Sequence, residues 1–590
     1  MKKITKYIAA LLIGAMTTGS ITSCADNLRE EFYDPDQVTT PQYELLFAGL
    51  LTQTHLFRYE YGPVYHYMVN FTRMLGVSMR PDLLDASQNS TIFQPWTGWS
   101  GTTFYPLIFN KTNVEYSKNY YAMQLLYNEM TDEEKAEKAV YVYCSNIVRG
   151  YAFQRSTDMY DDIPYFDTGS AFSGEFYVGY DTQEEIYADI MAKLKEAVDG
   201  LSNFTFASDV DQIQFNAADV LCNGSIDQWI RFANSLRLRM AMRLCHVKPD
   251  EAISTIREII NDGRLILTYD QNVGFEEQDK THAFEVTFFR GIEERGNDCI
   301  APETIIRDIL NYEYQPGDEN GISPDRHDFD PRLYAMFQPD VHNRYIGLPV
   351  HMADTVRLHD YYTDQEIYDM FNYLDAETSS WAETRLVTQY NRKTYFNFDM
   401  KFPVIHATEV HLLLAEAAVR WPGEFSDIDP AEHIKQAIDI STRFYYETNM
   451  TNGYSNSTTP PLQYLKESAT APALDETHLS DYCDYAAEQF NSLSTLDKIQ
   501  YIFNQKMVDM NIMNPYEIYN EARRLYKDFG RLPMTPMPNV VFMDRFPYPD
   551  DEATMNPENF AEVAYKNNHT TPVWWSGRTE TAVNTNGDAL

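Results

Sequence analysis

Between Asp181 and Leu201 the apolar residues Ile186, Ile190, Leu194, Ala197 and Val198 recur at helical spacing and fall on one face. Thr182 and Glu185 have the spacing of a capping box, and Gly200 is placed to end the helix. A chain with such a stripe must bury it against another element, so packed helices are the first requirement. The pattern returns from Ile226 to His246, where Arg231, Arg237, Arg239 and Arg243 are interleaved with apolar residues, and again from Pro249 to Ile260. From Ile405 to Arg420, Val410, Leu413, Leu414, Ala417 and Ala418 share a face. The turn-rich WPGEFSDIDP follows, and Ala431 to Tyr446 resumes a helix. A helical hairpin with small residues at close-packing positions is the grammar of a tetratricopeptide-like repeat, although the earlier helices share no strict period. The expected fold is mainly α.

Long segments rich in Tyr, Trp, Asp, Asn, Gly and Pro separate these blocks, at 86–106, 268–300, 311–362, 448–480 and 530–590. Loops of this length are functional or loosely ordered, so the expectation is a helical frame presenting aromatic loops. Trp96, Trp99 and Tyr105 lie in SQNSTIFQPWTGWSGTTFY, which is too polar for a core helix. Large aromatics there either stack on a ligand or plug the loop to the body. Stacking suits a sugar, whose axial C–H groups meet the aromatic face. Tyr361, Tyr362, Trp381 and the pair Trp574-Trp575 are weaker candidates of the same kind, and Trp229 in its amphipathic helix is assigned to the core.

The N-terminus has Lys2, Lys3 and Lys6, then an apolar run from Ile8 to Met16, then Ile21-Thr22-Ser23-Cys24. This is a secretory signal peptide over residues 1–23, too short to span a bilayer, which needs ~20 apolar residues. Cys24 directly after small residues fits the bacterial lipobox, in which the thiol is acylated and anchors the new N-terminus; an ordinary signal peptide is the alternative. Residues 24–41 are polar and acidic and read as a tether, leaving 42–590 as the ligand-binding domain. No later segment has membrane-spanning length. The chain carries 47 basic and 87 acidic residues, a net charge of −40, and removing the leader takes three lysines and no acids. Such a charge argues against nucleic acid, anionic lipid surfaces and acidic ligands; neutral or cationic ligands meet no barrier. Cys144, Cys222, Cys245, Cys299 and Cys483 have no metal-type spacing and read as buried free thiols, with room for one disulfide but no framework.

The chain has no GxSxG, HExxH or phosphate-cradling glycine loop. Asp161-Asp162 and Asp550-Asp551-Glu552 are adjacent acids that read as solvated surface or turn caps. Gly317 to Gly321 resembles a calcium loop only loosely and lacks the ligand register. The histidines form no metal constellation, and His406 and His411 lack the spacing of one helix face. Neither a catalytic group nor a cofactor is expected.

Several stretches share a further pattern: TDMYDDIPYFD at 157–167, YDTQEEIYADIMAKLKEA at 180–197, WIRFANSLRLRMAMRL at 229–244, FDPRL at 329–333, HLLLAEAAVR at 411–420 and RFPYPDDEATMNPENF at 545–560. With the lipobox, and in this order, they resemble the SusD/RagB family of nutrient-binding outer-membrane lipoproteins of Bacteroidetes, closest to its SusD-like starch-binding-associated branch. One departure is Asp161, where the family pattern has glycine. The resemblance implies four tetratricopeptide-like helix pairs cradling a loop-rich, irregular lobe. It also implies a non-enzymatic lid on a SusC-like TonB-dependent transporter at the cell surface, which captures oligosaccharide or, alternatively, peptide. Ligand residues in that family lie on variable loops, so none is carried over. Two other classes compete: a surface glycoside hydrolase, which requires turnover and two essential carboxylates, and a helical scaffold with no small-ligand affinity.

Overall fold

A computed structural model describes residues 42–53, 68, 72–74, 109, 116–275, 300–340, 342–349, 359–365, 388–395, 397, 399–451, 470–534 and 543–579. The leader, Cys24, the tether and Cys299 lie outside them. Among the described residues, twelve helices have ten or more residues. They are α1 (Tyr43–Gln53), α2 (Ser117–Glu129), α3 (Asp132–Tyr160), α4 (Gln183–Ser202), α5 (Asp209–Ala218) and α6 (Ile226–Arg243). After these come α7 (Pro249–Asp262), α8 (Ala407–Arg420), α9 (Pro430–Met450), α10 (Glu476–Ser492), α11 (Thr495–Met510) and α12 (Pro515–Phe529). Four successive pairs, α3/α4, α6/α7, α8/α9 and α10/α11, form the helical frame, and α4–α6, α6–α8 and α9–α10 contacts join one pair to the next. This is the expected tetratricopeptide-like arrangement. Among the described residues there are also shorter helical turns and two two-stranded antiparallel pieces: β1 (Val273–Phe275) with β4 (Phe402–Ile405), and β2 (Phe337–Gln338) with β3 (Gln389–Tyr390). Among the described residues, no helix is long and apolar enough to cross a membrane.

The helix starts follow local chemistry. Thr131 with Glu134 caps α3 and Thr182 with Glu185 caps α4, each as a complete capping box. The expected stop at Gly200 is not one, because α4 runs on to Ser202. Gly200 is there for packing: a Cβ at this position would lie 2.2 Å from the Tyr143 ring of α3. His406 was read on the helix with His411, but α8 begins at Ala407 and Ile405 ends β4.

The core contains an ion-pair system as well as apolar side chains. Every residue of α3 from Cys144 to Tyr160 is buried, so its polar groups need partners inside. Arg243 of α6 bonds Asp158 of α3 and Glu517 of α12. Arg239 forks onto Glu409 of α8 at 2.6 Å to both oxygens and donates to the Val404 carbonyl at 2.7 Å. Glu416 of α8 receives Arg524 at 2.6 and 2.7 Å, and Arg420 at 2.9 Å. Burial alone would push the Glu416 carboxyl up, but Arg524, Lys506 and Arg420 hold it well below the usual carboxylate range. Arg239 and Arg243 of α6 thus face inward and tie four helices together. Cys144, Cys222, Cys245 and Cys483 are free and buried, as expected.

Asp161 and Asp162 are buried, not solvated as the sequence suggested. Lys566 reaches both carboxylates at 2.6 Å. Asp161 has φ +68, a conformation natural to the glycine of the family pattern. Its carboxylate compensates by accepting the Trp574 amide at 2.8 Å and pairing with Arg545 and Lys566.

Candidate functional site

Two cavities adjoin segments singled out in the sequence. The first, about 240 Å3, opens where the 268–300 and 448–480 loops leave the helical frame. A short turn, Tyr269–Gln271, leads into β1, and Gly274 of β1 pairs with Pro403 of β4. A Cβ on Gly274 would lie 2.6 Å from the Phe402 carbonyl oxygen, so only glycine lets the strands approach this closely. Asn272 accepts the Ala407 amide at 2.7 Å, docking the turn onto the start of α8. It thereby takes the capping role that His406, at the N-cap position, does not perform.

Three aromatic rings line this cavity in series. Tyr269 lies 6.4 Å from Phe444 of α9, and Phe444 lies 4.9 Å from His406. Burial, and then a hydrogen bond to Glu447, push the Tyr269 phenol pKa upward. Burial pushes the His406 imidazole down, which keeps it neutral at ordinary pH. Asp270, Asp399, Lys401 and Glu447 stand around the cavity as exposed charged residues. Aromatic faces beside groups that donate and accept hydrogen bonds are what a polyhydroxylated ring requires.

The second cavity is a groove of about 440 Å3 between the 164–178 segment, the start of α2 and residues Glu552 to Asn556. It lies where the DIPY stretch and the closing motif meet: the Tyr548 hydroxyl bonds the Asp162 carbonyl at 2.8 Å, and Asn556 bonds the Val178 carbonyl at 2.8 Å. Its walls include Phe172, Phe176 and Met555, which are 52, 73 and 67% exposed. Several of its polar groups are already engaged. The Thr168 hydroxyl meets the Tyr121 hydroxyl at 2.9 Å, Ser170 bonds the Glu175 carbonyl at 3.2 Å, and the Tyr180 hydroxyl bonds Glu552. The groove chiefly offers apolar surface.

The aromatic residues picked from sequence are not brought together by the described residues. Trp96, Trp99, Tyr105 and Trp381 lie outside them. Tyr361 is half-buried, its carbonyl accepting Arg344 at 2.8 Å and its ring 6.2 Å from Tyr314. Tyr362 is 4% exposed, with Arg344 4.5 Å from its ring centre and its hydroxyl 3.3 Å from Asp340. Trp575 is fully buried and donates its indole N–H to Asp158 at 2.8 Å, and Trp574 packs 6.2 Å from Tyr187. Trp229 is core, as expected, and bonds Asp219 at 2.7 Å. Within 317–321 the carboxylates are engaged internally: Asp318 accepts from Tyr312 at 2.9 Å and Arg326 at 3.0 Å, and Glu319 accepts from Tyr314 at 2.6 Å. Tyr269, His406 and Phe444 were missed as site residues. Their only sequence signal was position, since Tyr269 opens one long loop and Phe444 shortly precedes another.

A family described as "starch-binding associating with outer membrane" matches residues 74–549. Among curated proteins there is no significant sequence match. Solved structures similar to the chain include a chitin-binding protein, 19% identical with a TM-score of 0.64, covering 91% of this chain and 100% of its own. A SusD/RagB family protein from Bacteroides thetaiotaomicron is 17% identical with a TM-score of 0.62, covering 92% and 100%. A chitin-binding SusD homolog from Flavobacterium johnsoniae is 17% identical with a TM-score of 0.56, covering 90% and 98%.

Proposed function

We propose, from the premise that the chain belongs to the SusD/RagB family of Bacteroidetes, that it captures oligosaccharide at the cell surface and delivers it to a SusC-like TonB-dependent transporter. Family membership supports a glycan-binding role in nutrient uptake. The observation that carries the reading to this chain is the cavity of Tyr269, His406 and Phe444, an aromatic wall among hydrogen-bonding groups at the root of two long loops. Trp96 and Trp99 stay proposed ligand contacts on sequence grounds and lie outside the described residues. Lipidation at Cys24 holds the protein on the outer membrane, and capture proceeds without turnover.

Tyr269→Ala removes the outer stacking face and is expected to weaken oligosaccharide binding about tenfold, as loss of an aromatic contact and a hydrogen bond together would. Isothermal titration checks this, with an unchanged circular dichroism spectrum confirming the fold. Unaltered affinity would move the site elsewhere.

The apolar groove serves delivery. Exposed apolar surface of this kind marks a protein contact. Asp167, Glu175, Asp550 and Asp551 are exposed close by in the chain, and Lys118 lines the groove, so a partner with an apolar ridge and a basic rim fits. The occupant in this reading is the transporter. The Phe172→Ser, Phe176→Ser double variant is expected to lose co-purification with the co-expressed transporter encoded beside it while still binding glycan. An intact complex would remove the groove from the interface.

A further inference from the structure

We infer that the smaller cavity takes a sugar residue bearing a protonated amine, an inference that rests on the glycan-capture reading and narrows it to a substrate class. His406 supplies the first observation. It lines the cavity and is 3% exposed, yet neither ring nitrogen has a hydrogen-bond partner among the described residues. Its ring nitrogens are not sealed in the interior, so a ligand donor in the cavity can reach them. Asn272 has taken over the helix-capping role, so the imidazole stays available.

The carboxylates supply the second observation. Asp270 and Glu447 line the cavity, and neither has a cation partner among the described residues. Glu447 receives the Tyr269 hydroxyl, which leaves further lone pairs on its oxygens. With Asp399, the carboxylates of the lining outnumber its single lysine, Lys401.

An ammonium group matches both observations. It carries three donors and no acceptor, so it can bond carboxylates and a neutral imidazole nitrogen at once. Its bonds to carboxylate are charge-assisted and about twice as strong as neutral ones. The faces of Tyr269 and Phe444 favour a ring with a partly positive underside, and a cation beside them gains further. At about 240 Å3 the cavity falls below the ~300–1,000 Å3 of drug-sized ligand sites, which suits a single sugar ring. The net charge of −40 draws cations toward the molecule and repels uronic acids.

The test is titration of the chain beginning at Ala25 against four probes: a glucosamine tetramer, its fully N-acetylated counterpart, a glucose tetramer and a lysine-containing peptide. The glucosamine tetramer is expected to bind about tenfold more tightly than either neutral tetramer, with the gap narrowing as salt is added. In the Asp270→Asn, Glu447→Gln double variant the preference for the glucosamine tetramer over the glucose tetramer is expected to vanish. Equal or tighter binding of the N-acetylated or glucose tetramer overturns the inference and leaves glycan capture standing. Binding of the peptide alone overturns the sugar class. Binding of no saccharide, with the fold intact, overturns the capture reading itself.

Discussion

Arg243→Ala is expected to destabilise the protein by about 3–5 kcal/mol, the range for breaking a buried ion pair by removing one partner. Arg243 is fully buried, and its guanidinium joins Asp158 of α3 to Glu517 of α12, with the Trp575 ring 5.5 Å away. Without it, two carboxylates are left facing each other with one fewer cation between them. Burial raises the Asp158 pKa even with Arg243 present, so the variant favours proton uptake there. Arg239 stands 3.7 Å from Glu517 and lessens the loss on that side. Urea denaturation at neutral pH checks the prediction through a lowered midpoint. A midpoint within that of the wild type would mean that the pairing contributes register rather than stability.

Trp575→Ala is expected to cost about 3–5 kcal/mol, as large aromatic truncations in cores do. The indole is fully buried, its N–H bonds Asp158 at 2.8 Å, and Arg523 lies 4.9 Å from its ring centre. Its loss opens a cavity and removes a donor from a carboxylate that already relies on Tyr187, Arg243 and Asn520. Glycan affinity of the folded fraction is expected to remain that of the wild type. This separates Trp575 from Tyr269, whose truncation acts on binding and leaves the fold in place. A Trp575→Ala protein of normal stability but reduced affinity would put the tryptophan in the ligand site.

The paired residues show why some features were legible in sequence and others were not. α4 declared itself because one face is buried and the other solvated, so its apolar period and its cap at Thr182 could be read directly. α3 is longer, yet its second half is buried on all sides and carries Arg149, Gln154, Arg155 and Asp158 inward, which erases the period. The arginines of α6 were visible, but their partners Glu409, Asp158 and Glu517 lie far away in the chain and no spacing rule connects them. Asp161 could be seen to replace a glycine, whereas its left-handed backbone and the lysine that neutralises it, Lys566, required the fold.

The candidate site was harder still. Aromatic content on polar loops drew attention to Trp96, Trp99 and Tyr105, and to the pair Tyr361-Tyr362, of which Tyr362 is held in place by Arg344 and Asp340. The cavity is made from the start of the 268–300 loop, the last turns of α9 and the residue before α8. His406 was read inside the helix with His411, and its place just before α8, where Asn272 does the capping, required the fold. Two of the long segments marked in the sequence, 268–300 and 448–480, meet at this cavity.

The most direct test of glycan capture without turnover is isothermal titration of the soluble protein, begun after Cys24, against oligosaccharides and peptides, with product analysis of each mixture. The account predicts saturable binding to one class of oligosaccharide, no cleavage product, and weaker binding by Tyr269→Ala. Cleavage of any glycan, or binding confined to peptides, would contradict it.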